Sequence, residues 1–329
     1  MRRNGSKDKL NVVVIGGGHG QSSICRGIKN IPDINISAIV TVADDGGSTG
    51  RLRRHFHIPA MGDIRNVMIS LAESESLMST LMDYRFEDPD GTETDVAGHN
   101  LGNLILTALT QQCGSFLEAV QTIEKILNVK GRIIPATTQV ITLFAEMEDD
   151  VIVRGEANIP TKANRIRRVF YDTKVRATPE AVSAVRNADL IIYGIGSVYT
   201  SVLPNVIIPE VREALQQSDA YKIYFCNAMT QPGETDGYSM EDHVRALKDH
   251  GAPVDAVLYA DDSMPPAIIE NYQREESIPV IIRESEHPYK VIKKKLLSFE
   301  GGLVRHASGL IESAVRELVE ERRCHLLQK

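Results

Sequence analysis

Val12-Val13-Val14-Ile15-Gly16-Gly17-Gly18-His19-Gly20-Gln21-Ser22 sets an apolar, β-branched run directly before a glycine-rich loop. Ile39-Val40-Thr41-Val42-Ala43-Asp44-Asp45-Gly46-Gly47-Ser48-Thr49-Gly50-Arg51 repeats the arrangement after a helix-like run. Neither run alternates with polar residues, the mark of strands covered on both faces in a parallel sheet. The glycines of the first loop stand where a backbone turns sharply and lies close to a ligand. A helix beginning near Gln21-Ser22 would aim free N–H groups and the positive end of its dipole at that loop, a geometry that attracts phosphate. The second loop opens with the paired carboxylates Asp44 and Asp45, where an acid accepts hydrogen bonds from a ribose or helps hold a metal ion. A tight turn without a ligand would use the same glycines. The dinucleotide fingerprint asks for a third glycine where Gln21 stands, so the loop does not imply NAD.

Composition sets the outer bounds. A chain of 329 residues can bury a sizeable core, and a single α/β domain over 1–329 is expected. The formal net charge of −7 argues against broad nucleic-acid binding, which needs a basic surface, but leaves room for a small anionic ligand held by local donors. The start, Met1 to Asn11, is polar and carries no secretory h-region, and no apolar run is long enough to span a bilayer. Cys25, Cys113, Cys226 and Cys324 are far apart and form no zinc spacing. Reduced thiols in a cytoplasmic protein are the simplest account.

Further along, Arg51-Leu52-Arg53-Arg54 reads either as a phosphate-facing group or as a solvated basic turn, and His55 and His57 as loop residues without further metal ligands. Asp63 is placed to cap a helix, with Arg65 and Asn66 in its first turn. A cation there opposes the helix dipole and implies a ligand or an acidic neighbour such as Asp44 or Asp45. After a polar loop from Asp88 to Ala97, Gly98-His99-Asn100-Leu101-Gly102-Asn103 stands at a helix entrance, where Asn100 and Asn103 share a face. The region 131–172 changes character. Ile133 to Thr138 reads as loop, Val140 to Glu146 and Val151 to Glu156 as a hairpin, and Val169 to Tyr171 as a third strand, together a small antiparallel insertion.

The α/β rhythm then returns. The strand Leu190 to Tyr193 runs into Gly194-Ile195-Gly196-Ser197-Val198-Tyr199-Thr200-Ser201-Val202-Leu203-Pro204-Asn205, a loop whose glycines and hydroxyls suit phosphate. Tyr221 to Cys226 ends in Asn227, Ala256 to Tyr259 ends before Asp261-Asp262, and Val280 to Ile282 reads as a further strand. The fold class expected is therefore α/β: a Rossmann-like, mostly parallel sheet with helices on both faces and a small antiparallel β insertion. Ligands of such sheets bind outside the carboxyl ends of the strands.

Taken together, Gly16-Gly17-Gly18-His19-Gly20, Val42-Ala43-Asp44-Asp45-Gly46-Gly47-Ser48, Gly62-Asp63-Ile64-Arg65-Asn66, Gly98-His99-Asn100-Leu101-Gly102-Asn103 and Met229-Thr230-Gln231-Pro232-Gly233-Glu234-Thr235 resemble the CofD-like family, and within it the bacterial YvcK-type branch of gluconeogenesis factors. One departure is His19, where many members carry threonine, a change that bears on contacts to phosphate. The resemblance implies a cytoplasmic protein that binds a UDP-sugar such as UDP-N-acetylglucosamine and links carbon metabolism to cell-wall synthesis and cell shape. It also implies a relation to 2-phospho-lactate transferase, in which the paired aspartates lie near the reacting phosphates and Mg²⁺. Asp44 and Asp45 inherit that position, and Arg305 resembles the branch's UDP-sugar contact.

The leading expectation is a nucleotide-sugar-binding regulator without a catalytic residue. Its rival is a Mg²⁺-dependent transferase using Asp44, Asp45 and Asp63. A hydride-transferring NAD enzyme is a weaker third reading, although NAD could occupy the same cleft. The candidate ligand-binding residues are Gly16, Gly17, Gly18, His19, Gly20, Asp44, Asp45, Gly46, Gly47, Ser48, Asp63, Arg65, Asn66, His99, Asn100, Asn103, Gly196, Ser197, Thr200, Ser201, Asn205, Asn227 and Arg305, with Asp44 and Asp45 as metal ligands. The expected partners are a nucleotide, an unidentified protein and further copies of the chain.

Overall fold

Val12, Val14 and Ile15 have no exposed surface because the strand they form, β1 (Leu10–Gly16), runs through the middle of a sheet. The structure is a computed structural model and describes residues 9–88, 95–162 and 164–328. Most of the polar start and positions 89–94 of the polar loop, both read above, lie outside the described residues.

From β1 the chain enters α1 (Gly18–Ile28) and returns in β2 (Ile34–Val40), parallel to β1, with Leu10 opposite Ile34 and Gly16 opposite Val40. Five helices follow: α2 (Gly47–Phe56), α3 (Gly62–Leu71), α4 (Glu75–Met82), α5 (Leu101–Cys113) and α6 (Phe116–Ile126). Local chemistry punctuates them. Gly114 takes a left-handed φ of 68° to end α5, and Ser115 accepts the Glu118 N–H as the cap of α6.

The chain then forms β3 (Arg132–Pro135), paired parallel with β2. This corrects the reading of Ile133 to Thr138 as loop. Ile133 and Ile134 are buried, and Pro135 is tolerated because the strand lies at the sheet's edge. The insertion accordingly begins after β3 rather than at 131. It consists of β4 (Phe144–Met147), β5 (Ile152–Arg154) and β6 (Ile166–Phe170) in the antiparallel order β5-β4-β6. Val140 to Leu143 is not part of its strands.

Thr178 caps α7 (Pro179–Arg186), with Pro at the first helical position. The chain then runs through β7 (Leu190–Tyr193), α8 (Leu203–Val206), α9 (Pro209–Gln217), β8 (Tyr221–Phe225), α10 (Met240–Asp249), β9 (Ala256–Ala260), α11 (Pro266–Arg274) and β10 (Lys290–Lys294). A short pair, β11 (Leu297–Ser298) and β12 (Arg305–His306), leads to the long closing helix α12 (Ser308–Leu327). Val280 to Ile282, read as a strand, contributes only loop beside the single bridge of Met229 to Pro279.

The seven strands of the main sheet are ordered β10-β9-β8-β7-β1-β2-β3, and every pairing is parallel. The chain leaves β1 toward one edge and returns at β7 on the other side. The carboxyl ends of β1 and β7 therefore diverge into loops that open a crevice, the usual ligand position of such sheets. Among the described residues, no helix is long and apolar enough to cross a membrane.

Candidate functional site

The first glycine loop is shorter than expected, because α1 already begins at Gly18 rather than near Gln21. Gly17 is extended. A Cβ there would lie 2.4 Å from Asp63 Oδ2 and 2.7 Å from Thr41 Cγ2, so only glycine fits. Gly18 has a φ of 59°, and its N–H donates to Asp63. At Gly20 a Cβ would meet the Ile195 carbonyl oxygen at 2.3 Å, so this loop and the Gly194–Ser197 loop touch. Gln21 explains the missing fingerprint glycine. Its buried Nε2 donates at 2.9 Å to the carbonyls of Val14 and Ile39 and stitches β1 to β2.

The second loop supplies two carboxylates aimed at different partners. Asp44 Oδ1 accepts the Gly46 N–H at 2.9 Å, and its other oxygen lies 3.1 Å from where Gly62 would carry a Cβ. Asp45 Oδ1 accepts the Ala157 N–H at 3.0 Å and so ties the loop to the insertion. Gly47 opens α2, and Ser48 Oγ meets His99 Nδ1 at 2.9 Å.

Burial, reinforced by the charge of Asp44, pushes the Asp63 carboxyl up to about 7. Burial, then Asp44 and Asp63, push Glu156 up to about 8. Asp44 is itself raised by burial, against the pull of its hydrogen bonds from Gly46 and Thr49. These carboxyls repel one another, and a cation or a proton relieves them. Among the described residues, no three His, Cys, Asp or Glu side chains gather closely enough to hold a metal unaided. Asp44 and Asp45 could contribute to a cation's shell only with further oxygens supplied by a ligand or water.

Arg65 is not the ligand-facing or Asp44-facing cation that its helix position implied. Its guanidinium donates to Asn100, to Asn103 at 2.9 Å and to Asn66 at 2.8 Å, and its Nε lies 3.5 Å from Asp83. Gly102 leaves the room for its stem. Asn103 in turn reaches Ser48 and Thr49 at 3.4 Å, so Arg65, Asn66, His99, Asn100 and Asn103 form a layer that braces the Asp44 loop from behind.

The hydroxyls expected to cradle phosphate after β7 are also committed inward. Ser197 donates to Glu234, and Thr200 reaches the same carboxyl at 3.2 Å. Glu234 is only 2% exposed, and burial, offset in part by these bonds, lifts it to about 7. Asn205 donates to the Gly16 carbonyl at 3.0 Å and to that of Ser201 at 2.9 Å, and Asn227 donates to the Gly196 carbonyl at 2.9 Å. These residues lock the two glycine loops together.

What remains open is a cleft of about 680 Å³ lined by His19, Gly20, Ser22, Ser23, Arg26, Ile195, Arg305 and Ser308. Arg305 is exposed at its rim. The β11–β12 pair and the start of α12 form the wall opposite α1, where Gly27 lies against the Ser308 carbonyl.

Sequence reasoning selected neither Glu156 nor Glu234 as site residues. Glu234 lies in the Met229–Thr235 motif and Glu156 at the end of the expected Val151–Glu156 strand, so position is the signal that could find them. Ser22, Ser23 and Arg26 were missed as well, although they follow from the helical repeat of α1 beyond His19.

The family model described as 2-phospho-L-lactate transferase CofD matches residues 12–297. The gluconeogenesis factor of Halalkalibacterium halodurans is 43% identical over 94% of this chain and 96% of its own length, and that of Bacillus subtilis is 42% identical over 95% and 99%. A crystal structure of a UPF0052 family member from Bacillus halodurans superposes with a TM-score of 0.88 at 42% identity, covering 93% of this chain and 99% of that one. With its family motifs meeting at one sheet edge and relatives matched along almost their whole length, the chain belongs to the CofD family, on the branch of the gluconeogenesis factors.

Proposed function

We propose that this chain binds a nucleotide-sugar of the UDP-N-acetylglucosamine kind at the carboxyl ends of β1 and β7. It then acts as a regulator linking gluconeogenic growth to cell-wall synthesis and cell shape. The observation that carries the reading is the cleft at the sheet's switch point, where the N-terminus of α1 and the side chains of His19 and Arg305 face one space. The helix terminus and the arginine suit a diphosphate. Of the paired aspartates, Asp44, beside Asp63 at the glycine loop, would hold Mg²⁺ against that diphosphate and the ion would offset its charge, whereas Asp45 is turned to the insertion. Four unpaired cysteines accord with a cytoplasmic setting. Titration calorimetry with UDP-N-acetylglucosamine, with and without Mg²⁺, tests the proposal. Absence of heat at millimolar ligand with folded protein overturns it. NAD added as a competitor shows whether a second nucleotide shares the cleft.

One observation favours a transferase as the second reading. Asp63 and Glu156, with carboxyls raised to about 7 and about 8, can exchange protons near neutral pH beside the aspartate loop. Mass-spectrometric turnover assays with UDP-sugars and guanine-nucleotide conjugates, on wild type and Asp45→Asn, separate the two. Binding without turnover favours the regulator.

A further inference from the structure

The run Arg51-Leu52-Arg53-Arg54 plays no part in the nucleotide cleft, yet its last two arginines border a second cavity. This space, of about 560 Å³, lies between α2 and the antiparallel insertion and shares no lining residue with the cleft. Arg53, Arg54 and His57 line it from the core, and Thr142, Arg154 and Asn158 from the insertion side.

Arg53 is 6% exposed, and its guanidinium is fully engaged. It donates to the carbonyls of Ala43 and Asp44 at 3.3 Å, to that of Ile141, and to Thr142 Oγ1 at 3.3 Å. Arg53 therefore supplies fixed charge rather than free donors. Arg54 and Arg154 are exposed, and among the described residues their guanidinium groups make no hydrogen bond or salt bridge. Both act on Arg53 as like charges, adding to the burial that already disfavours its charged form, while Asp45 and Asp44 oppose them. Asp45, the one acid among the described residues that line the cavity, already accepts the Ala157 N–H. The cavity thus holds three guanidinium groups against one committed carboxylate, in a protein whose net charge is −7. Two planar donor forks on opposite walls match the geometry of phosphoryl oxygens. The volume lies in the range of small-molecule sites.

We propose that the cavity between α2 and the insertion is a second ligand site, which takes a small phosphorylated anion held by Arg54 and Arg154. Binding there bridges the insertion to the core beside Asp45, and it requires neither the glycine loops nor Arg305.

The test uses inorganic pyrophosphate as probe, with the full chain, a metal chelator present and ionic strength held constant, read by titration calorimetry. Wild type is expected to bind saturably. The double variant Arg54→Gln/Arg154→Gln is expected to bind about tenfold more weakly or worse, because two charge-assisted contacts are lost. Arg305→Gln is expected to weaken only binding at the nucleotide cleft and to keep the saturable pyrophosphate site that the double variant lacks, since it lines only the other cleft. Both arginines are exposed, so circular dichroism should report an unchanged fold for the double variant. The proposal is overturned if wild type shows no saturable binding at millimolar probe or if the double variant binds as wild type does. It is also overturned if Arg305→Gln loses as much affinity as the double variant, which would assign the anion to the nucleotide cleft.

Discussion

Asp63 of α3 closes the floor of the glycine loop that precedes α1. It accepts the Gly18 N–H, and its Oδ2 occupies the space in which any side chain at Gly17 would begin, 2.4 Å from that Cβ position. The helix N-terminus that invites phosphate therefore already faces a carboxyl of its own. An incoming phosphate meets that carboxyl either protonated or screened by a cation.

Gly17→Ala should displace Asp63 and Thr41 and open the junction of the β1 and β2 loops. Its backbone, at φ −170°, accepts alanine, so the effect is steric alone. Affinity for UDP-N-acetylglucosamine is expected to fall by about tenfold or more, with a stability loss of about 1–3 kcal/mol. Calorimetry and urea denaturation read the two quantities separately. An unchanged affinity would remove the glycine loop from the site.

The acid cluster makes stability depend on pH in a defined direction. Asp63, Glu234 and Glu156 are raised to about 7, 7 and 8, whereas unfolded carboxyls titrate near about 4. Between those limits the native state holds more protons than the unfolded one. The contribution is complete below about pH 4 and is lost as pH rises through the folded values. The melting temperature should decline from about pH 5 to about pH 8, and Glu156→Gln should flatten the slope. A melting temperature that climbs over this window contradicts the cluster.

Replacing Gln21 with glycine restores the dinucleotide fingerprint and should nonetheless weaken the protein. The substitution strips a buried donor from the Val14 and Ile39 carbonyls and leaves a void between β1 and β2. The expected cost is about 2–4 kcal/mol by chemical denaturation, with no gain in NAD affinity. Tighter NAD binding in Gln21→Gly would show that the amide merely excludes the dinucleotide.

Arg305 separates binding from folding. It is exposed at the rim of the cleft, and its side chain supports no described neighbour through a hydrogen bond or salt bridge. Arg305→Gln is expected to lower affinity for UDP-N-acetylglucosamine about tenfold while shifting the melting temperature by about 1 °C or less. A variant that binds as wild type does would leave the glycine loop without its cationic partner.

The chain's order along itself determined much of this protein. Unbroken apolar runs at Val12–Ile15 and Leu190–Tyr193 can only be satisfied between covered faces, and glycine and aspartate after them mark strand ends at which a ligand can approach. Such patterns are local, so they are legible without coordinates. Tertiary structure alone decided which polar groups were left free. Arg65 found Asn100 and Asn103 far away in the chain, Ser197 and Thr200 found Glu234, and Glu156 arrived from the insertion to face Asp44 and Asp63. The placement of β3 was hidden for the same reason: its four residues and terminal proline become a strand only because β2 offers an unpaired edge. A short segment carries too little propensity to announce itself, and a polar side chain carries no record of its partner. Both are settled by packing between residues distant in sequence.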